Sequence, residues 1–172
     1  MDPLVIVLRL IHVVAGALWV GMVTFATYFL QPALQESGPE GGKVMAAVQR
    51  RGLMTVMPIL AVAALISGLW LYLLAAGSQH AAYARSGPGM AFAVGGLAAI
   101  VAFLIGMIVM RPAMMKAVAL AQSLGPSATP EERQRVGGEA QALRARAAAA
   151  GKAVNHLLFF AIAAMAVARY LA

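Results

Sequence analysis

Three ionisable side chains lie inside long apolar stretches of this sequence: Arg9, His12 and His156. An ionisable group within a bilayer costs about 3 kcal/mol or more unless it has a partner or a task. The other polar residues fall close to the ends of the apolar stretches. These three positions are therefore the first candidates for chemistry.

One stripe of the first apolar stretch combines an imidazole, a glycine and an indole. His12, Gly16 and Trp19, followed by Val23 and Thr27, recur at spacings of three and four residues, which places them on one face of a helix. A flat ligand such as a porphyrin fits that face, because Gly16 leaves space and a ring nitrogen of His12 can ligate haem iron. The alternative is structural, with His12 hydrogen-bonded to a neighbouring helix and Trp19 packed in the core.

A second protein ligand to the same iron is harder to assign. His12 and His156 lie on oppositely directed helices, roughly 10 Å apart in depth at 1.5 Å per residue, so they cannot share one iron. Met165 lies closer to the depth of His12 and is the hypothesis for a second ligand. Tyr72 and His80 are further candidates on that side.

Arginines and one asparagine suggest anion contacts at both ends of the bundle. Arg9, one turn outward of His12, is suited to a haem propionate or a lipid phosphate, and snorkelling to the interface is the alternative. A second polar site, for a propionate, a quinone or a lipid headgroup, is predicted at the inner end of the last span. Its members are Asn155, His156, Arg50 and Arg51. A helix-capping or interfacial role is the alternative for this group.

Composition excludes several other chemistries. The chain has no cysteine, which excludes disulfides, thiolate metal sites, cysteine nucleophiles and covalently attached c-type haem. All six acidic residues lie in loops or at the terminus, which argues against a carboxylate proton relay through a bilayer. Eleven methionines suit Cu(I), but no His-rich or repeated Met segment accompanies them, so copper transport ranks third among the functions.

The elements that must position these residues are transmembrane helices. The 172-residue chain is 62% hydrophobic and 11% charged, whereas soluble domains carry about 25% charged residues. Its mean hydropathy is +0.84. Four apolar runs are each long enough to cross a bilayer core of about 30 Å. We predict an all-α fold, a single membrane domain over residues 1–172 that forms a four-transmembrane-helix bundle, with spans at about 4–30, 53–76, 90–110 and 154–171.

The sequence also predicts where these helices begin and end. The second helix is expected to start near Lys43, with Pro58 as a kink, and the third span to stop at Arg111. A cytoplasmic loop and helical extension then occupies about residues 112–152 before the last span. Thr129-Pro130-Glu131-Glu132 has the pattern of an N-cap, a first-turn proline and a capping box. The extension would rise about 30 Å above the membrane.

Basic residues indicate the orientation of the bundle. Positive side chains are retained in the cytoplasm, and most of the 13 Lys and Arg residues flank the first and third loops. Only Arg9, Arg85 and Arg169 lie on the opposite side. Both termini are therefore predicted outside the cytoplasm, and the charge of +7 has a topological origin, so we do not expect nucleic acid binding.

Short motifs resemble a known group of membrane proteins. Arg9-Leu-Ile-His-Val-Val-Ala-Gly-Ala-Leu-Trp19 followed by Gly21 resembles the first helix of the CopD-like and HemJ-like bacterial families. Gln49-Arg50-Arg51, Pro58, the Ser67-Gly68-Leu69-Trp70 run and Asn155 are similar to the HemJ-like protoporphyrinogen oxidases. The lysine that those oxidases carry in the third helix is replaced here by Gly95, Gly96 and apolar neighbours.

The resemblance implies a bacterial inner-membrane protein with a b-type haem held partly by His12. Our leading hypothesis is a haem b redox protein, active in porphyrinogen oxidation or electron transfer to quinone, in which Gly16 and Trp19 shape the pocket and Arg9 steadies a propionate. The competing hypothesis is a non-catalytic accessory or assembly subunit of a larger membrane complex. Expected partners are the lipid bilayer and either such subunits or further copies of the chain. The basic helix between Pro130 and Lys152 supports the second hypothesis, because it suits anionic lipid or an acidic partner.

Overall fold

The computed structural model of the chain describes residues 2–125 and 128–171, without the side chain of Pro39. Within these ranges all regular secondary structure is helical, which confirms the predicted all-α fold. Pro126 and Ser127, part of the predicted break before the last helix, lie outside the described residues. The elements in chain order are α1 (Pro3–Phe25), a first π-helical turn (Ala26–Leu30), α2 (Gln31–Glu36), α3 (Gly38–Arg50), α4 (Leu53–Ala76), α5 (His80–Arg85), α6 (Gly87–Ile105), a second π-helical turn (Gly106–Met110), α7 (Arg111–Ser123), α8 (Pro130–Val167) and a 3₁₀ turn (Ala168–Tyr170).

Four continuous helical stretches in the described chain are long and apolar enough to cross a membrane: Pro3–Glu36, Leu53–Ala76, Gly87–Ser123 and Pro130–Tyr170. Their outward faces carry large apolar side chains, among them Leu10, Val13, Phe29, Leu69 and Ile108, each more than 60% exposed. A surface of this kind is stable in contact with lipid rather than water. The fold is therefore consistent with a multi-pass membrane protein.

The four long helices pack as a ring in which α1 lies along α4 and α6 lies along α8. Contacts between α4 and α6, and between α1 and α8, close the ring. Alanines dominate the buried core at Ala15, Ala61, Ala64, Ala98, Ala99, Ala102 and Ala161. Small side chains let helix backbones approach closely, which is the main source of packing energy between helices in lipid.

Two prolines explain the π-helical turns. Pro32 and Pro112 each follow a π turn by two residues, within the pairs Gln31-Pro32 and Arg111-Pro112. A proline ring in a regular α-helix clashes with the carbonyl four residues earlier, and widening the preceding turn relieves that clash. The third span was expected to end at Arg111, and the helix itself continues past that residue through Pro112 to Ser123.

The segment between the first and second spans also differs from expectation. The helix predicted from about Lys43 through the second span is two helices, because Gly52 adopts a φ of +87°, which favours glycine and separates α3 from α4. Only Ser37 separates α2 from α3, because α3 already begins at Gly38. Gly41 lies directly against the backbone carbonyl of Leu34, so α2 and α3 form a tight hairpin.

The predicted extension is an antiparallel hairpin of α7 and α8. The capping box is confirmed, because the Thr129 hydroxyl accepts from the Glu132 amide and the Glu132 carboxylate accepts from the Thr129 amide. Helix α8 then runs for 38 residues without interruption, a length of about 57 Å. Ala117 of α7 and Ala147 of α8 are both 0% exposed, so the hairpin is closely packed along its length.

Candidate functional site

The side chain of His12 on α1 forms a hydrogen bond with the backbone of α4. Its Nδ1 lies 2.8 Å from the backbone carbonyl oxygen of Ala64 on α4. A carbonyl oxygen only accepts hydrogen bonds, so Nδ1 must carry the proton and donate it. In the neutral imidazole the lone pair is then on Nε2, the nitrogen available to a metal or an acceptor role.

Gly68 creates the space for this imidazole. A Cβ atom at Gly68 would lie 2.6 Å from Cε1 and 2.9 Å from Nδ1 of His12, distances at which one of the two groups must move. Ser67 beside it is buried, and its hydroxyl donates to the carbonyl of Ala63 at 2.6 Å. The ring of His12 is thus held in place by a hydrogen bond on one atom and by backbone contact on its edge.

The other members of the predicted stripe have different environments. Gly16 has open space where a Cβ would stand, with no atom within 4 Å, so the backbone of α1 is accessible there. Trp19 is only 6% exposed and lies in the alanine-rich core, which corresponds to the structural role left open for it. Arg9 is exposed at the outer end of α1. The structure therefore keeps His12 and Gly16 on an accessible face and turns Trp19 inward.

The candidates for a second ligand do not gather around His12. The side chain of Met165 packs against Gly95, 3.1 Å from the position of a Cβ there, which puts it between α6 and α8. His12 lies between α1 and α4 instead. His80 is exposed at the start of α5. A second ligand from Met165 stays a prediction, and no contact in the described residues supports it.

An aromatic pair lies at the end of the bundle where α4 ends and α5 follows. The rings of Tyr72 on α4 and Tyr83 on α5 meet edge to face with centroids 5.3 Å apart. Partial burial, with a smaller effect from Tyr72, raises the pKa of Tyr83 above its ordinary value. The Tyr83 phenol therefore stays neutral through the physiological range.

The donor set at His12 fits haem better than a bare metal ion. Within the described residues there is no group of three or more His, Asp or Glu side chains that could hold an ion. A single imidazole retains a metal only when the metal brings its other ligands, as haem iron does with four porphyrin nitrogens. A histidine that ligates a metal commonly donates its second N–H to a backbone carbonyl, as His12 does to Ala64. Gly16, one turn along α1 from His12, leaves open space in which a macrocycle would meet no atom within 4 Å of the Cβ position.

The second predicted polar site is assembled from different residues than expected. Asn155 is fully buried, its amide donates to the Gly151 carbonyl at 2.9 Å, and its Oδ1 accepts from the Thr24 hydroxyl at 2.7 Å. The other expected members, His156, Arg50 and Arg51, are exposed and do not join it. Sequence reasoning missed Thr24, although a hydroxyl within an apolar run, three residues before Thr27, was a usable signal.

Comparisons with known proteins give no relative from which a function could be transferred. No family model matches the chain, and neither a curated protein nor a solved structure matches it.

Proposed function

We propose that this chain is a small redox protein of the bacterial inner membrane that binds haem b through His12. The observation that carries the proposal is the hydrogen bond from Nδ1 of His12 to the Ala64 carbonyl, which orients the ring and leaves the lone pair of the neutral imidazole on Nε2. Haem b would supply one-electron chemistry when bound. Porphyrinogen oxidation and electron transfer to quinone are the two activities that this chemistry serves.

The chain's own residues have distinct tasks in this proposal. His12 would hold the iron through Nε2, Gly68 and Ala64 orient the imidazole, and the open space at Gly16 would admit the macrocycle close to the backbone. Arg9 is placed one turn outward, where its guanidinium can pair with a propionate. Both termini face the periplasm, because the basic loops are retained in the cytoplasm.

The first test is the visible spectrum of detergent-purified protein, oxidised and dithionite-reduced, after expression with added haem precursor. We expect a Soret band and reduced b-type bands in the wild type and their loss in His12→Ala. His156→Ala is the matched control, because His156 is exposed and contributes nothing to this site. A colourless wild type, or a His12→Ala variant with an unchanged spectrum, contradicts the proposal.

A second variant separates haem contact from helix packing. A Cβ at Gly16 meets no protein atom within 4 Å, and a leucine side chain there fills the space assigned to the macrocycle. Gly16→Leu should therefore fold normally by circular dichroism and lose haem. Gly96→Leu, at an equally open glycine of α6, should keep it. Equal haem content in the two variants would place the macrocycle elsewhere.

The α7–α8 hairpin supports a second candidate function, that of an accessory subunit in a larger complex. Arg135 is exposed and lies 17 residues before Lys152, about 25 Å further from the membrane along a straight helix. Since charges are screened beyond about 8 Å at physiological salt, lipid headgroups are out of reach and an acidic protein surface is the better partner.

The test is native electrophoresis of solubilised membranes. Wild type should co-migrate with a larger complex and Arg135→Glu with Arg146→Glu should not, whereas a wild type that migrates alone rejects this function.

A further inference from the structure

Three buried polar atoms at the inner end of the bundle have no hydrogen-bond partner among the described residues: Oγ1 of Thr27, Nε2 of Gln49 and Nε of Arg111. Thr27 as a whole is 7% exposed. A buried polar group without a partner costs about 1–3 kcal/mol, so native proteins rarely retain several of them without a purpose. Their depths in the bundle can be compared from the pairing of the helices.

Helix pairing puts Thr27 and Arg111 at nearly the same depth. Oγ1 of Thr27 lies 2.9 Å from the Cβ position of Gly151 on α8. On the other side of α8, Gly95 lies against Ala161 and Met165. Arg111 follows Gly95 by 16 residues, and α6 and α8 are antiparallel, so Arg111 lies opposite about residues 145–149. This level is about one helical turn, or 6 Å, inward of Gly151.

Gln49, on α3 just before α4, lies at a similar depth in the bundle. His12 lies against Ala64 and Gly68, so Leu53, the first residue of α4, lies opposite about residues 23–27 of α1. Gln49 precedes Leu53 by four residues, across the bend at Gly52, so it lies at the same end of the bundle as the first π-helical turn. Its carbonyl accepts from the Gly52 amide at 2.9 Å and so anchors it at this bend. The three orphan atoms therefore lie at a similar depth near the inner end of the bundle, on three different helices, and we call this set the inner polar layer.

The inner polar layer is rich in donors and carries one positive charge. The Gln49 amide nitrogen and the Arg111 guanidinium only donate, and the Thr27 hydroxyl can donate. Arg111 has no salt bridge to a carboxylate in the described chain. Arg111 is half-buried rather than enclosed. Asn155 does not take part, because both its polar atoms are already bonded.

We propose that Arg111, Gln49 and Thr27 form a binding site for a phosphate-type oxyanion at the cytoplasmic interface of the bundle. A guanidinium, an amide and a hydroxyl that all donate match the acceptor oxygens and charge of such a group. The oxyanion is either the phosphate of an inner-leaflet lipid or free phosphate. The site is independent of the haem proposal, since His12 lies four turns away along α1.

The test measures the midpoint of thermal unfolding, Tm, of delipidated protein in neutral detergent by tryptophan fluorescence. Inorganic phosphate is titrated at constant ionic strength against chloride, and phosphatidylglycerol is compared with phosphatidylcholine in nanodiscs. A ligand at 100 times its Kd should raise Tm by roughly 5–10 °C. A rise with phosphate identifies free phosphate, a rise with phosphatidylglycerol alone identifies a lipid headgroup, and no rise in either arm overturns the proposal.

Variants decide whether the inner polar layer is responsible. Arg111→Gln should lose most of the rise, and Arg51→Gln, which removes an exposed charge at the same end, should keep it. Equal losses in the two variants would mean that diffuse surface charge causes the rise and would reject the site.

Thr27→Val gives an independent readout that does not rely on Arg111→Gln folding. It should raise Tm without ligand, because a buried hydroxyl without a partner is removed, and reduce the ligand-induced rise. An unchanged ligand response in Thr27→Val contradicts the proposal.

Discussion

At the scale of single residues, glycines with the same covalent structure have opposite roles in this bundle. Gly68 is in contact with His12, and Gly95 is in contact with the backbone of Ala161, so a side chain at either position forces its neighbour to move. Gly16 and Gly96 have open space beside them. The first pair serves packing and orientation, whereas the second pair leaves the helix surface free for lipid or ligand.

Gly68→Ala should lower haem affinity while leaving the stability of the protein almost unchanged. The added methyl pushes the His12 ring away and breaks its hydrogen bond to Ala64, a loss of about 1 kcal/mol. Replacing a helical glycine by alanine stabilises the helix by about 1 kcal/mol, which offsets this loss, so the free energy of unfolding should change little. Haem affinity should fall by roughly 10-fold to 100-fold, because the imidazole loses its orienting acceptor.

The measurements for Gly68→Ala are haem titration and thermal unfolding of the apoprotein. Gly21→Ala is the control, because a Cβ there meets no atom within 4 Å and should leave haem affinity unchanged. An equal haem affinity in Gly68→Ala and wild type would show that the bond between His12 and Ala64 serves packing alone.

At the scale of elements, the helices extend beyond the spans because their ends are stabilised locally. The capping box at Thr129 starts α8 far from the apolar core, and the two π-helical turns let the first and third helices pass Pro32 and Pro112. Each π turn precedes a polar residue followed by Pro and Ala, at Gln31 and at Arg111. The α2–α3 and α7–α8 hairpins are thus continuations of the long apolar helices rather than separate units.

Thr129→Ala tests the local origin of the start of α8. Loss of the hydroxyl that accepts from the Glu132 amide should cost about 1 kcal/mol. Because the site is exposed and distant from the core, the effect should be local. Amide hydrogen exchange in the first turns of α8 should become roughly 5-fold faster, and the Tm of the whole protein should change little. Ser123→Ala, at the exposed end of α7, should leave exchange in α8 unchanged, and global destabilisation by Thr129→Ala would contradict a local cap.

At the scale of the whole molecule, charge is distributed unequally between the two ends of the bundle. The α2–α3 and α7–α8 hairpins leave the same end, because α1 and α6 both finish at the end of the bundle where α4 begins and where α8 enters the core. These hairpins and their flanks carry all the Lys and Arg residues except Arg9, Arg85 and Arg169. Retention of positive charge in the cytoplasm therefore predicts one orientation for the entire bundle.

The absence of cysteine makes this orientation directly measurable. Single substitutions Ser78→Cys and Ser123→Cys place one thiol at each end, both at exposed positions. A membrane-impermeant maleimide added to intact cells with a permeabilised outer membrane should label Ser78→Cys and not Ser123→Cys. Both variants should react after the inner membrane is disrupted. The reverse pattern would place the basic hairpins outside the cytoplasm.

The sequence by itself determined the properties that depend on neighbouring residues. The second span was predicted at its observed bounds, and the start of α8 was predicted from four consecutive residues, because hydropathy and capping are local. The polar character of His12 and Asn155 within apolar stretches was also visible in the sequence, although their partners were not.

The tertiary structure decided which faces of the helices meet. The spans are apolar on almost every side, so hydropathy does not specify how each helix is rotated about its own axis. That rotation brings Thr24 to Asn155, 131 residues further along the chain, and leaves the adjacent His156 exposed. It also turns Trp19 into the core and sets Gly68 against His12. These contacts follow from close packing of small residues between helices, a property that no single segment contains.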